Sequence, residues 1–273
     1  MKNILITIIV LIFAFSCKEK IEPQTKKSIP IVSVKSKKFK KRVYDTLVYP
    51  NRSQDYFYIS KLSRTGLLFS GEFSNDDLKN KWLGVFKSKN DYYLSKTELS
   101  ISRVFHPLED AVDNKAGWNI TTINKDTCIV LIKELPFLKN HKIETVTLPK
   151  NYLFPGDSFK FNFLNKDYIL FATGEKEKVQ DNPEWFAVWN YKLYLTTTKN
   201  NKQVTDLLVS TPKMSDFMVQ IFFSGDIDND GNLDLLINTS THYAYYKPYL
   251  YLSKPAKKGK LLIPIGFYYQ SHC

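Results

Sequence analysis

Short runs in which aromatic or β-branched residues alternate with polar ones recur along most of this chain. Its 273 residues include 17 Tyr and 19 Phe, and many fall in such runs. Alternation at every second residue is typical of a strand with one buried face, and these side chains suit a pleated surface. Helical periodicity is weak. The sequence therefore predicts an all-β protein of antiparallel sheets with few short helices.

The spacing of these runs restricts the architecture further. Strand-like segments about every ten residues favour a sandwich or a propeller-like assembly. No internal repeat of fixed period is found, so a propeller would be incomplete. Four hairpins are predicted: 82–86 with 92–94, 120–123 with 128–132, 159–163 with 168–171, and 189–196 with 204–209. The helix candidates are residues 75–81, capped by Ser74 or Asn75, and a turn around residues 107–112.

The N-terminus has the organisation of an export signal. Lys2 precedes an apolar run over residues 4–15, and Ala14 and Ser16 are small residues just before Cys17. The segment resembles a bacterial lipoprotein signal, which implies a signal peptide over residues 1–16 and a lipid on Cys17. Ordinary signal-peptidase cleavage before Cys17 is the alternative. The expected location is the cell envelope, lipid-anchored, at the outer membrane of a Gram-negative bacterium, with either a periplasmic or a surface orientation.

Two cysteines remain once Cys17 is lipidated. Exported proteins fold in an oxidising compartment, where paired thiols form disulfides. We expect Cys128 and Cys273 to be bridged, which would fix the C-terminus to the rest of the fold. Two separate free thiols are the alternative.

The positive charge of the chain is concentrated near its N-terminus. The net charge is +12, yet residues 17–42 alone carry ten basic residues against Glu19 and Glu22. From residue 43 onward 28 basic residues face 25 acidic ones, so the domain over residues 43–273 is close to neutral and nucleic acid is not expected as a partner. Residues 17–42 are predicted to be a disordered basic tether that adds attraction to anionic lipids, or a soluble spacer.

One segment, residues 226–234, has the composition of a calcium-binding loop. Alternating aspartates would place several carboxylates on one side of a tight loop, and Gly231 permits the sharp turn. Calcium takes about six to eight oxygen ligands. The predicted ligands are Asp226, Asp228, Asp230, the backbone carbonyl of Asn232, and Asp234. A solvated acidic turn without an ion is the alternative.

The flanks of this loop exclude an EF-hand, because both are strand-like and the twelfth position is Ile237 instead of Glu. The segment F-S-G-D-I-D-N-D-G-N-L-D-L-L-I resembles the FG-GAP repeat, also found in VCBS-type repeats and integrin-like propellers. The resemblance implies bound calcium and a following strand that packs into a sheet. It covers about fifteen residues, and this chain departs from the family by carrying the unit once. The ion would be structural, because its ligands are local and no nucleophile is nearby.

No catalytic motif is recognisable, so no catalytic residue is predicted. The sequence has no H-E-x-x-H, no G-x-S-x-G and no phosphate-binding G-x-x-x-x-G-K-[ST]. A possible ligand-binding segment follows the calcium loop, where His242, Tyr243 and Tyr245 could bind a glycan, since tyrosine offers a flat apolar face and a hydroxyl. A histidine hydrogen-bonded in a turn beside packing tyrosines is the alternative.

These observations predict a calcium-stabilised envelope lipoprotein that acts as a binding or interaction module. Its expected partners are membrane lipid through Cys17 and either a glycan or an envelope protein. Two alternatives remain. The chain could be a secreted or surface hydrolase whose catalytic carboxylates are dispersed in the sequence, or a structural component of an envelope assembly.

Overall fold

The computed structural model of the protein describes residues 43–51, 59–110, 114–179, 182–199 and 201–272. The predicted signal peptide, the tether, Cys17 and Cys273 lie outside these residues. The strands in chain order are β1 (Leu62–Ser63), β2 (Gly66–Leu68), β3 (Trp82–Ser88), β4 (Asp91–Thr97), β5 (Leu99–Val104), β6 (Gly117–Thr122), β7 (Thr127–Lys133), β8 (His141–Ile143) and β9 (Ser158–Phe163). They continue with β10 (Lys166–Val179), β11 (Asn182–Lys199), β12 (Lys202–Lys213), β13 (Gln220–Gly225), β14 (Asp234–Asn238), β15 (Tyr245–Tyr246), β16 (Pro248–Leu252), β17 (Ile263–Phe267) and β18 (Gln270–Ser271).

The predicted all-β class is confirmed, and every strand pair within the described ranges is antiparallel. The helix candidate at residues 75–81 is a single 3₁₀ turn, Asp77–Lys79, and residues 107–109 form a turn. No helix in the described part of the chain is both long and apolar enough to cross a membrane.

Three of the four predicted hairpins are confirmed. They are β3 with β4, β9 with β10, and β11 with β12. The fourth prediction is wrong, because β6 pairs with β2 and β5 whereas β7 pairs with β1 and β3. Ile120 and Leu131 do pack in one hydrophobic cluster, but they reach it from different sheets. The two segments therefore meet face to face instead of edge to edge.

Within the described residues these pairings form five sheets. Four of them are a three-stranded sheet (β2-β6-β5), a five-stranded sheet (β1-β7-β3-β4-β8), a central sheet (β13-β14-β16-β17) and a long-hairpin sheet (β12-β11-β10-β9). The fifth is a short ribbon of β15 and β18. One hydrophobic cluster joins each successive pair of the four larger sheets. They therefore pack in the series three-stranded, five-stranded, central and long-hairpin.

The central sheet is covered on both faces. Along β14, Leu235 and Ile237 belong to the cluster shared with the long-hairpin sheet, whereas Leu236 belongs to the cluster shared with the five-stranded sheet. All five residues of β14 and of β16 are buried. A strand with two buried faces reads as a continuous apolar run. This explains why the segment after the predicted calcium loop lacks polar alternation.

The predicted disulfide is not seen among the described residues, because Cys128 is a free cysteine. Cys128 lies on β7, and burial raises the pKa of its thiol to about 12. A thiol with so high a pKa is a poor nucleophile at neutral pH. Cys128 is partly buried and packs against the hydrophobic cluster shared by the three-stranded and five-stranded sheets.

Candidate metal centre

The loop between β13 and β14 lies at one end of the central sheet. Two of its residues adopt positive φ, Asn229 at 55° and Gly231 at 75°. The Asp226 carboxylate accepts hydrogen bonds from the backbone N–H groups of Asp230 at 3.0 Å and Gly231 at 2.8 Å. Short polar side chains and glycine favour this closed turn. The local sequence alone thus sets the curvature of the loop.

Three of the predicted ligands converge in the interior. Asp226, Asp228 and Asp234 are 5 %, 1 % and 0 % exposed. Each can offer one carboxylate oxygen such that all three oxygens lie within 4.8 Å of one another. Three carboxylates this close repel one another strongly in a low-dielectric interior unless protons or a cation neutralise them.

Asp234 is held by the backbone on both sides of the loop. Its Oδ2 accepts from the N–H groups of Ile227 at 2.7 Å and Asp228 at 3.1 Å, and its Oδ1 accepts from Ser253 N–H at 2.8 Å. Ser253 follows β16, so this carboxylate joins the loop to a third strand of the central sheet. The position of Asp234 is therefore fixed independently of any ion.

Asp228 differs from Asp234 in having a buried oxygen without a partner. Its Oδ2 accepts from Lys254 N–H at 2.9 Å, but its Oδ1 is buried and has no hydrogen-bond partner in the described structure. An unpaired buried carboxylate oxygen is costly and requires an explanation. A cation between the three carboxylates would supply the missing interaction.

The pKa values of the two most buried carboxyls respond to this environment. Burial, with a smaller contribution from the charges of Asp230 and Asp226, raises the pKa of Asp228 to about 7. Burial and the charge of Asp228 raise the pKa of Asp234 well above its usual range. Without a cation the loop thus favours protonated carboxyls near neutral pH, whereas a bound metal would hold them ionised.

The other two predicted ligands lie beside the three buried carboxylates. Asp230 is half-buried, and its Oδ1 accepts from Asn232 N–H at 2.9 Å and from the Ser253 hydroxyl at 2.8 Å. The Asn232 side-chain oxygen accepts from Lys166 Nζ at 2.7 Å. The assignment of Asp230 and of the Asn232 backbone carbonyl as ligands stays a prediction.

Sequence reasoning missed two lysines that border the loop. Lys166 Nζ donates to the Gly231 carbonyl at 2.6 Å, and Lys254 Nζ donates to the Asp228 carbonyl at 3.1 Å. Lys166 begins β10 in the long-hairpin sheet, far from the loop in sequence. No local pattern identifies either residue, because their approach depends on how the sheets pack.

The donor set suits a hard cation. The converging ligand atoms are all carboxylate oxygens, and calcium accepts six to eight oxygens in flexible geometry, including backbone carbonyls and water. A soft metal would favour sulfur or imidazole ligands. The residues present therefore fit calcium, with Asp226, Asp228 and Asp234 as the core of the site.

Comparisons with known proteins do not add to this assignment. No protein-family model, curated protein or solved structure matches the chain. The similarity of the loop to FG-GAP repeats and the similarity of the N-terminus to lipoprotein signals thus remain predictions from the residues themselves.

The second predicted site, His242, Tyr243 and Tyr245, lies at the opposite end of β14. The imidazole of His242 stacks on the Tyr243 ring with centroids 4.7 Å apart, and the Tyr245 ring lies nearly parallel at 6.3 Å. Tyr243 is 61 % exposed. Asp216, which sequence reasoning missed, places Oδ2 at 3.9 Å from His242 Nε2.

Proposed function

We propose that this chain is a calcium-stabilised binding module of the bacterial cell envelope, anchored through a lipid on Cys17. The observation that carries the metal half of the proposal is the buried Oδ1 of Asp228, which has no hydrogen-bond partner among the described residues and belongs to a group of three buried carboxylates. A calcium ion coordinated by the three carboxylates would neutralise their charges and give Asp228 Oδ1 a partner.

A structural role for the ion follows from the position of the loop. The loop joins two strands of the central sheet, whose faces are both covered. Ligands that bind the folded state alone stabilise it by mass action, by about 2.7 kcal/mol at a concentration one hundred times Kd. Calcium at the millimolar concentrations typical outside the cytoplasm would keep such a site filled even at modest affinity.

The distribution of carboxyl groups favours a binding role over hydrolysis. A hydrolytic acid/base pair requires a carboxyl with a raised pKa that faces a cleft. Among the described residues, the carboxyls with raised pKa values are Asp228 and Asp234, and both are buried in the metal loop. This distribution supports a module that binds and does not catalyse.

The anchored location rests on the N-terminal sequence. Cys17 follows the apolar segment, and the basic residues 18–42 would lie close to lipid headgroups. We expect labelled fatty acid to be incorporated into the wild-type chain and not into Cys17→Ser in a bacterial host. Equal labelling of both proteins would contradict the lipid anchor and leave the metal site untouched.

The metal proposal is tested by thermal unfolding of the full-length protein in EDTA and in millimolar calcium. We expect calcium to raise the melting temperature of the wild type by several degrees, since about 1 kcal/mol shifts a domain of this size by roughly 2–4 °C. Asp228→Asn should remove the calcium response. In EDTA this variant should be at least as stable as wild type, because the amide oxygen can still accept from Lys254 N–H and the side chain carries no charge that must be buried.

Asp206→Asn is the matched control. Asp206 is also buried, and its Oδ2 accepts from Leu261 N–H at 2.6 Å and Leu262 N–H at 3.1 Å, away from the loop. This variant should lose stability in both buffers and keep the full calcium response. A wild-type melting temperature that is the same in EDTA and calcium would overturn the proposal.

A further inference from the structure

At the turn that follows β14, the side chains of His242 and Asp216 lie side by side and are both partly exposed. We propose that His242, Asp216, Tyr243 and Tyr245 form a binding site for a neutral oligosaccharide, in which one sugar hydroxyl bridges His242 and Asp216. This inference rests on the binding role proposed above and names the chemical class of its ligand.

Several hydrogen bonds hold the turn that follows β14. The N–H groups of Ser215 and Asp216 donate to the Thr241 carbonyl at 3.1 and 3.2 Å, and Tyr243 N–H donates to Asp216 Oδ1 at 3.1 Å. The Ser240 hydroxyl donates to the His242 carbonyl at 2.8 Å. These bonds fix the Asp216 carboxylate beside the imidazole. A preorganised site loses less conformational freedom on binding.

The hydrogen bond at Nδ1 of His242 determines which ring nitrogen can donate to a ligand. Ala244 N–H donates to Nδ1 at 3.1 Å, so Nδ1 is an acceptor and the neutral ring carries its proton on Nε2. Nε2 lies 3.9 Å from Asp216 Oδ2, too far for a direct hydrogen bond. The site thus presents one donor and one acceptor with a gap between them.

The 3.9 Å between His242 Nε2 and Asp216 Oδ2 allows one hydroxyl group to contact both atoms. A hydroxyl oxygen placed about 2.8 Å from both His242 Nε2 and Asp216 Oδ2 would form an angle of about 90° with these two atoms. One hydroxyl group can therefore accept from Nε2–H and donate to Oδ2. Both side chains remain accessible, at 43 % for His242 and 41 % for Asp216. A carboxylate in this position favours a neutral sugar over an acidic one.

Aromatic rings lie next to His242. Tyr243 is 61 % exposed, and Tyr269, also exposed, lies with its ring centroid 6.1 Å from that of Tyr245. Tyrosine offers a flat apolar face and a hydroxyl, which matches the C–H face and hydroxyl rim of a pyranose. Three tyrosine rings next to one hydroxyl-binding pair suit a ligand longer than a single sugar.

A protein partner fits this surface less well. A stable protein interface buries about 800 Å² on each side around a desolvated apolar centre. The exposed groups at this turn instead include the polar pair of His242 and Asp216 beside Tyr243. A ligand with its own hydroxyl groups can form hydrogen bonds with this pair without leaving a buried charge unpaired.

The test is binding of the full-length protein, in calcium, to an array of glucan, xylan, mannan and chitin tetrasaccharides. We expect at least one class to bind, and both His242→Ala and Tyr243→Ala to weaken that binding by about tenfold or more. Tyr44→Ala is the matched control, since Tyr44 is exposed at 49 % outside the turn and should leave binding unchanged.

The outcomes separate this inference from the metal proposal. Binding to none of the four classes, or binding that both turn variants retain, overturns the carbohydrate site. If calcium raises the melting temperature and no sugar binds, the metal loop stands and the carbohydrate site falls. If sugar binds through His242 and calcium has no effect on melting, the carbohydrate site stands and the metal loop falls.

Discussion

The two ends of β14 carry turns of opposite character. At the Asp234 end the chain closes around three buried carboxylates, whereas at the Asn238 end it forms an exposed turn with His242 and Tyr243. Both ends are fixed by the side chain of the terminal strand residue. Asp234 accepts from Ile227, Asp228 and Ser253 backbone N–H groups, and the Asn238 side-chain oxygen accepts from Ser240 and Lys247 N–H groups.

The two ends of β14 differ in how far their other polar side chains are exposed to solvent. The carboxylates at the Asp234 end are removed from water, so keeping them ionised costs free energy. Protons or a bound cation must therefore neutralise them. At the Asn238 end Asn238 itself is buried, but the side chains of His242 and Asp216 remain 43 % and 41 % exposed and can exchange water for a ligand at little cost. This difference in burial is the basis for proposing a stabilising role for one turn and a binding role for the other.

Among variants at the two ends of β14, Asp234→Ala is expected to lower the free energy of unfolding most. Three backbone N–H groups lose their acceptor and the remaining carboxylates lose their position, so unfolding in urea should show a loss of about 3–5 kcal/mol or no folded protein. His242→Ala, at the other end of the strand, should cost far less. Similar losses for the two variants would break the comparison.

The next effect is a pH dependence confined to the metal loop. In EDTA the raised pKa of Asp228, about 7 against an ordinary 3.8, means that the folded state binds more protons than the unfolded state between these values. The contribution of this carboxyl to stability should therefore be complete at about pH 4 and fall by roughly 2–4 kcal/mol as the pH rises to about 7. Calcium should remove most of this loss, because metal binding requires ionised carboxylates.

Urea unfolding at a series of pH values, with and without calcium, measures this dependence. Asp228→Asn serves as the control, since it removes one of the two carboxyls with raised pKa values and should make the profile in EDTA less steep. A wild-type protein whose stability in EDTA rises between pH 4 and pH 7 would contradict the assignment of raised pKa values to this loop.

A smaller effect is expected at Gly231. Its φ of 75° is left-handed, and no heavy atom lies within 4 Å of an added Cβ, so Gly231→Ala should cost about 1–2 kcal/mol through backbone strain alone. The variant should also weaken calcium binding in a titration. Gly156→Ala, at a φ of 91° and equally open, should lose stability with no change in calcium affinity.

The smallest effect is expected at the aromatic turn. Tyr243 is 61 % exposed, so Tyr243→Ala should change the free energy of unfolding by no more than about 0.5 kcal/mol. Chemical denaturation in calcium measures this value. A loss of 2 kcal/mol or more, on the order of a core truncation, would show that the turn supports the fold and would remove the contrast between the two ends of β14.

Local patterns predicted a large part of this structure. Hairpins such as β9–β10 could be predicted because their strands are neighbours in sequence and Asn165, a residue that favours turns, lies between them. The loop aspartates could be predicted because their spacing alone brings Asp226 and Asp228 together. The pairing of β6 with β7 was predicted wrongly, because adjacency in sequence does not show whether two strands meet by edge or by face.

Contacts between distant segments could not be predicted. Lys166 and Lys254 reach the metal loop from other strands, and Asp216 reaches His242 from the chain before β13. Each depends on the packing of whole sheets, for which a single sequence gives no signal. The sequence therefore identified the centre of each candidate site and missed the residues that complete it.

The metal loop also touches two hydrophobic clusters at once. Ile227 packs in the cluster between the central and five-stranded sheets, and Leu233 packs in the cluster between the central and long-hairpin sheets. Release of the ion would loosen both contacts together, so the three sheets would behave as one cooperative unit. In hydrogen exchange, the slowest amides on either side of the central sheet would then lose protection at the same calcium concentration.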